Sequence, residues 1–327
     1  MGSVAHRPNR YRGSAVVLLA AAVCVGALWL HHPDAPAAPA DRVAPGATTA
    51  PAAARDIPIK SWIAYAKRGD ENLHMDMARP EGAGPFPAVV CIHGGGWEIG
   101  HRVTHHRTIR LLAAHGYVAV SIDYRLAPKH KFPAQIEDAK AAVRFLRSGA
   151  ADYGIDPLRI AAMGESAGGH LALLLGTLDE KDGMDGQGDG DRRSSKVAAV
   201  VNYFGPTDLT RWKIPPLVDD LLHKKFGRRS DSLLENFLGT CDRKAPIMVQ
   251  ASPINYIDAG DAPVLTFHGL LDPIVPAEQA ILLHEALRKA GVAEKLVTLP
   301  MASHGWGGAE RERTDRLMVE FLDGRMK

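Results

Sequence analysis

The chain has 327 residues, 46% hydrophobic and 23% charged, which is enough to bury a sizeable core in one large α/β domain. A formal net charge of +2, with no basic stripe along any segment, argues against a nucleic-acid partner. The 3 cysteines make no disulfide framework, and no Cys/His spacing resembles a zinc site. No cofactor is expected.

At the N-terminus, Arg7, Arg10 and Arg12 precede an uncharged apolar run from Ser14 to Leu30. Residues 1–31 therefore read as a secretory signal peptide, with a retained N-terminal membrane anchor as the competing reading. Either would place the protein outside the cytoplasm: secreted, or held in the periplasm or cell envelope. Residues 32–55 are rich in Pro and Ala and read as a linker. The folded domain is expected over 56–327.

Within it, short apolar runs alternate with helical patterns. Ile57–Ala66 and Asn72–Met77 open as strands, and Pro87–Ile92 is a buried strand ending in a glycine cluster. Cys91, inside that strand, reads as a small buried hydrophobe. Arg107–His115 is a helix stopped by Gly116, and Tyr117–Ile122 a strand. Ala134–Arg147 carries apolar residues at helical spacing. Arg159–Met163 is a strand and Ala167–Leu178 a helix; Val197–Tyr203 and Val264–His268 are strands. Pro276–Ala290 (helix), Lys295–Leu299 (strand) and Arg311–Leu322 (helix) complete the series. Such alternation implies a mostly parallel sheet with helices on both faces and a site at the carboxyl ends of the strands.

Two stretches interrupt the pattern. Asp179–Ser195 contains Asp185, Asp189 and Asp191 in an order unlike a calcium loop, and reads as a mobile solvated loop. Residues 206–252, with Leu217, Leu221, Leu222 and Phe226 at helical spacing, read as a cap insertion over one side of the site. A peripheral helix pair without influence on substrate choice is the alternative.

The chemistry is carried by three strand ends. Gly164-Glu-Ser166-Ala-Gly168 lies between a strand and an apolar helix. A turn this tight lifts the serine hydroxyl above the sheet at a helix N-terminus, where negative charge is favoured. Ser166 as a mere helix cap would use the same residues. His93-Gly-Gly-Gly96-Trp97 reduces that doubt, because consecutive glycines aim backbone N–H groups into a cavity, as acyl transfer requires. The oxyanion hole is assigned to the amides of Gly95, Gly96 and Ala167, with Gly94 able to replace one of the first two. A phosphate loop fails for want of Lys-Ser/Thr. Asp272, after the strand ending at His268, and His304, after the last strand, supply acid and base. The order Ser166, Asp272, His304 is that of an α/β-hydrolase fold.

Any one of 15 histidines is a weak candidate alone. His93 is expected to position the glycine loop, His170 to pack behind Ser166, and His268 to be structural. His101, His105 and His106 are expected to be exposed near a helix start. Asp258 and Asp261 precede their strand, at the wrong end for the acid.

His93–Trp97, Asp123-Tyr-Arg-Leu-Ala-Pro128, Phe132-Pro-Ala134 with Asp138, Gly164–Gly169, Gly205-Pro-Thr-Asp208, Asp272 and His304 together resemble the hormone-sensitive-lipase-like esterases. Trp97 and the spacing around Asp272 look closer to their bacterial feruloyl and acetyl esterase (BD-FAE-like) branch. The resemblance implies metal-independent carboxylic ester hydrolysis with Ser166, Asp272 and His304 as triad. It also implies a structural role for Asp123 and Arg125, expected to pin the glycine loop. Lipase-type members carry a long N-terminal helical cap, whereas this chain shows a short, strand-like region there, which favours short acyl groups. The leading expectation is an esterase acting on short acyl or aryl-acyl groups of a small-molecule or carbohydrate ester. The alternatives are a prolyl-oligopeptidase-like peptidase, with no propeller-sized repeat to support it, and a non-catalytic binding module, which no missing triad residue supports.

Overall fold

The computed structural model describes residues 56–186, 193–227 and 229–327. The expected signal or anchor (1–31), the linker (32–55), Asp189 and Asp191 lie outside them.

Eight strands form one sheet: β1 Ile59–Arg68, β2 Glu71–Ala78, β3 Phe86–Ile92, β4 Val118–Ile122, β5 Ile155–Glu165, β6 Val200–Tyr203, β7 Val264–Gly269 and β8 Glu294–Leu299. Their spatial order is β1-β2-β4-β3-β5-β6-β7-β8. β2 runs antiparallel to both of its neighbours, β1 and β4; the pairs from β4 to β8 are all parallel. The fold is therefore the expected α/β-hydrolase class. β3 and, apart from Ser121, β4 are apolar because they are covered on both faces. β1, at the edge, alternates and stays half wet.

The helices are α1 His106–Ala114, α2 Ala134–Ser148, α3 Ala150–Tyr153, α4 Ala167–Thr177, α5 Pro216–Phe226, α6 Ser230–Leu238, α7 Pro246–Gln250, α8 Glu278–Ala290 and α9 Gly308–Met326. Apolar residues of α2, α4 and α8 pack into one core with Val90, Ile92 and Ala162 of the sheet. Those of α1 and α9 pack into a second, on the opposite face, with Val89, Cys91 and Met163. Order along the chain reverses at β3, which lies between β4 and β5. That switch point leaves a crevice at the carboxyl ends of β3 and β5, where the glycine loop and Ser166 emerge.

Several bounds differ from expectation. β5 begins at Ile155: Asp156–Leu158 extend the strand with Pro157 and Leu158 exposed, so no buried apolar run marks its start. α9 runs from Gly308 to Met326, its first turn too polar to show periodicity. The insertion is helical, as its spacing suggested, but Leu217 faces outward and Val218 inward. Trp212, Leu234, Phe237 and Met248 of this stretch belong to the main core. Asp185, in the stretch expected to be a mobile loop, is tied to α2 by Lys140 Nζ at 3.0 Å and lies near Arg144.

Candidate active site

Ser166 links β5 to α4 with φ 54 and ψ −120, a conformation costly to any side chain and held only because its surroundings over-determine it. Its amide donates to the Tyr203 carbonyl at 2.9 Å, and its own carbonyl accepts from His170 N at 3.0 Å. A side chain at Gly168 would collide with the Ile92 carbonyl, so only glycine lets α4 start this close to β3. The hydroxyl is thereby raised at the helix N-terminus. The first amides there, Ala167 among them, have no intrahelical acceptor.

The His304 Nε2 lies 2.9 Å from Ser166 Oγ, and its Nδ1 lies 2.7 Å from Asp272 Oδ2. An Nδ1–H that donates to the carboxylate leaves Nε2 as the acceptor facing the serine. Asp272 Oδ1 accepts from the amides of Ile274 and Val275, each at 2.9 Å, so the carboxylate cannot rotate freely. Burial opposes its charge, but His304 foremost, with His268, pulls the carboxyl down to about 2. Asp272 is thus an anion at any physiological pH. His268 is fully buried; its Nε2–H points to the Val275 carbonyl at 2.7 Å and lies 3.5 Å from Asp272 Oδ2. Asp258 and Asp261 hydrogen-bond each other's turn before β7, away from the site.

The glycine loop leaves β3 beside this trio. Gly94 packs against the Glu165–Ser166 turn, and Gly95 has φ +116 while its carbonyl accepts from Glu98 N and Ile99 N. Gly96 lies under Leu233 of α6. With Ala167 N opening α4, donors from two elements border the serine.

Most of what holds this loop was not foreseen. Trp97, with φ 62, stacks on Phe237 of α6 at 4.2 Å and 4° between planes. Its indole N–H donates to His170 Nδ1 at 3.3 Å, and His170 Nε2–H in turn donates to the Ala251 carbonyl at 2.6 Å. Burial lowers His170 to about 4, so this relay is neutral. Tyr124 Oη donates to the His93 carbonyl at 3.0 Å, and Ala127 N to the Trp97 carbonyl at 2.9 Å. His93 stacks on Tyr124 and donates through Nδ1 to the Gly94 carbonyl at 2.8 Å.

Two expectations need correction. Asp123 binds the amide and guanidinium of Arg102, just beyond the loop, while Arg125 turns away to Asp138, Glu137 and the Ala134 carbonyl. The pins on the loop are their neighbours, Tyr124 and Ala127. Of the three histidines expected at the surface, only His101 is there. His105 is buried against the Ile92 carbonyl at 3.2 Å, and His106 reaches Asp76 Oδ2 at 2.7 Å. The polar run concealed this, because its partners are on β2 and β3.

Among the described residues, no cluster of His, Cys, Asp or Glu could hold a metal ion. The constellation of hydroxyl, imidazole, buried carboxylate and facing amides can activate an oxygen nucleophile and receive an oxyanion.

The BD-FAE family model matches residues 75–287. Esterase LipC of Mycobacterium tuberculosis is 33% identical over 246 residues, 73% of this chain and 58% of that protein. The chain spans about three fifths of the length of the curated relatives it matches first, between 58% and 62%. A truncated carbohydrate esterase from gut microbiota superimposes with a TM-score of 0.70 at 25% identity, covering 82% of this chain and 96% of the other. A butyrate-bound thermophilic esterase from the planctomycete Thermogutta terrifontis gives 0.66 at 30%, covering 83% and 95%.

Proposed function

The chain belongs to the BD-FAE family, and on that premise we propose that it is a serine carboxylesterase hydrolysing short-chain acyl or aryl-acyl esters through an acyl-enzyme. The observation that carries the reading is the continuous hydrogen-bond path Ser166 Oγ–His304–Asp272, with distances of 2.9 and 2.7 Å.

Ser166 Oγ attacks the ester carbonyl carbon as His304 Nε2 takes its proton. The carbonyl π electrons move to oxygen, which is received by the amides of Gly95, Gly96 and Ala167; each such donor contributes about 2.7–4 kcal/mol. Asp272 holds the imidazole in the Nδ1–H tautomer and stabilises the cation. The intermediate collapses, the C–O bond to the alcohol breaks, and the imidazolium protonates the departing alkoxide. Water, deprotonated by His304, then attacks the acyl carbon and Ser166 leaves with the proton restored.

Short acyl groups are favoured because β1 and β2 join the sheet instead of covering the crevice, leaving Leu233 of α6 beside Gly96. The carbohydrate esterase likeness makes an acylated saccharide a reasonable alcohol partner. Residues 1–31 would export the enzyme to such a substrate, freely or on an anchor.

The test is turnover of 4-nitrophenyl acetate and butyrate beside a Pro-containing chromogenic peptide, with Ser166→Ala as control. Ester turnover abolished in a folded Ser166→Ala variant is expected. Peptide cleavage without ester cleavage would replace this reading by a peptidase, and neither activity by a binding module.

A further inference from the structure

The hydroxyl and the imidazole that must meet are carried by two different strand–helix connections. No covalent constraint sets the distance between them, yet a misplacement of about 1 Å costs on the order of 10²-fold in rate. Both connections are tied to the first turns of α9. The Arg311 guanidinium donates through Nη1 to Glu165 Oε1 at 2.8 Å, and Glu165 immediately precedes Ser166. The same guanidinium lies 5.3 Å over the Tyr203 ring, and the Tyr203 carbonyl accepts the Ser166 amide at 2.9 Å. Three residues on, and so on the same helix face, Thr314 Oγ1 accepts the Trp306 indole N–H at 3.0 Å. Trp306 follows His304 by two residues. It meets Phe204 at 5.2 Å between ring centroids, and Phe204 meets the His304 ring at 4.7 Å.

We propose that the opening of α9 is a positioning clamp for the proposed esterase chemistry: Arg311 fixes the nucleophile turn through Glu165 and Tyr203, while Thr314 fixes the base loop through Trp306. The inference rests on Ser166 and His304 being nucleophile and base. Arg311 is itself held from behind, by Asp315 Oδ1 at 2.9 Å and Thr108 Oγ1 at 3.3 Å, and Arg107 of α1 reaches Asp315 Oδ2 at 2.6 Å. The clamp therefore braces α9 against α1 as well as against the sheet. Charged or titratable groups facing Glu165 are Arg311 from α9, His105 from the turn after the glycine loop, His304 from its loop, Cys91 from β3 and Tyr203 from β6. Burial disfavours the Glu165 charge, but Arg311 above all outweighs it and holds the carboxyl below its ordinary value. An ionised pair here does more than fill space: it keeps a negative charge near the imidazole that becomes a cation in the reaction.

The test compares Arg311→Met, Arg311→Lys, Thr314→Val, Glu165→Gln and the double Glu165→Gln/Arg311→Met with the wild-type full chain. Readouts are kcat and KM on 4-nitrophenyl butyrate, the second-order rate of Ser166 phosphorylation by paraoxon, the pH profile of kcat/KM, and Tm. Arg311→Met is expected to lower kcat and the paraoxon rate about 30- to 100-fold with KM changed less than threefold. Arg311→Lys should recover part of the loss, and Thr314→Val should lower kcat about tenfold. Glu165→Gln removes the carboxylate charge that faces His304 and leaves Arg311 held by Asp315, so the low-pH limb of kcat/KM should move to lower pH. If Arg311→Met leaves Glu165 buried and unpaired and fails to fold, the double variant decides. Under the proposal it regains Tm yet stays slow; a double variant as fast as wild type overturns the clamp. So does a Tm loss in Arg311→Lys and Thr314→Val with kcat and pH profile unmoved. A wild-type chain inactive on esters and inert to paraoxon would instead overturn the esterase reading beneath it.

Discussion

Replacing Asp272 by Asn changes one atom and should disable the site through a tautomer. The Oδ1 side of the carboxylate is fixed by two amide donors, Ile274 N and Val275 N, each at 2.9 Å. An asparagine must present its carbonyl oxygen to those amides, which aims its NH₂ at His304 Nδ1, now 2.7 Å from Oδ2. Two donors cannot face each other, so the imidazole proton moves to Nε2. That nitrogen then donates to Ser166 Oγ at 2.9 Å and can no longer take its proton. A reversal of this kind costs about 10⁴ in kcat, four factors of ten or about 5 kcal/mol of barrier. Steady-state kcat on 4-nitrophenyl butyrate measures it, with circular dichroism to establish that Asp272→Asn is folded. A folded variant within tenfold of wild type would refute the reasoning and move the acid to another residue.

Other outcomes follow from the same geometry. Gly95→Ala should lower kcat about 10²- to 10³-fold with little change in KM, because a Cβ at φ +116 collides with the Ile99 carbonyl and displaces a donor amide; near-normal kcat would remove Gly95 from the oxyanion hole. Phe237→Ala removes the buried ring stacked on Trp97 and should cost about 3–5 kcal/mol by denaturant unfolding, with a parallel loss of kcat; a cost under about 1 kcal/mol would show that the insertion does not brace the loop. Burial, with the charges of Asp258 and Asp179, raises the Asp261 carboxyl to about 7. The folded state therefore prefers it protonated, and stability is lost as pH rises from the ordinary 3.8 through about 7. Asp261→Asn should raise Tm more at pH 8 than at pH 5, and equal shifts at both would contradict that sign.

How much of this was legible in the sequence depended on range. The nucleophile turn and the glycine loop are local: each is a strand followed at once by glycines, so residue order alone suggests the backbone shape. Asp272 and His304 are 32 residues apart, and their pairing was inferred from the chain order that a parallel sheet imposes. His105 was misread because nothing in His105-His106 reveals that the Ile92 carbonyl awaits one imidazole and Asp76 the other. Arg125 was misread because its partners on α2 compete successfully for its fork of donors.

Ser166 shows the division most clearly. Flanking glycines and the strand–helix periodicity determine by themselves that a serine stands exposed on a tight turn, because those are constraints between near neighbours. That its hydroxyl faces an imidazole, that Phe237 braces the glycine loop and that Arg311 reaches under the turn are contacts between residues far apart in the chain. Only the closing of the sheet and the packing of α6 and α9 against it decide them, since a hydrogen bond or ring contact depends on distances of a few ångströms that sequence separation does not encode.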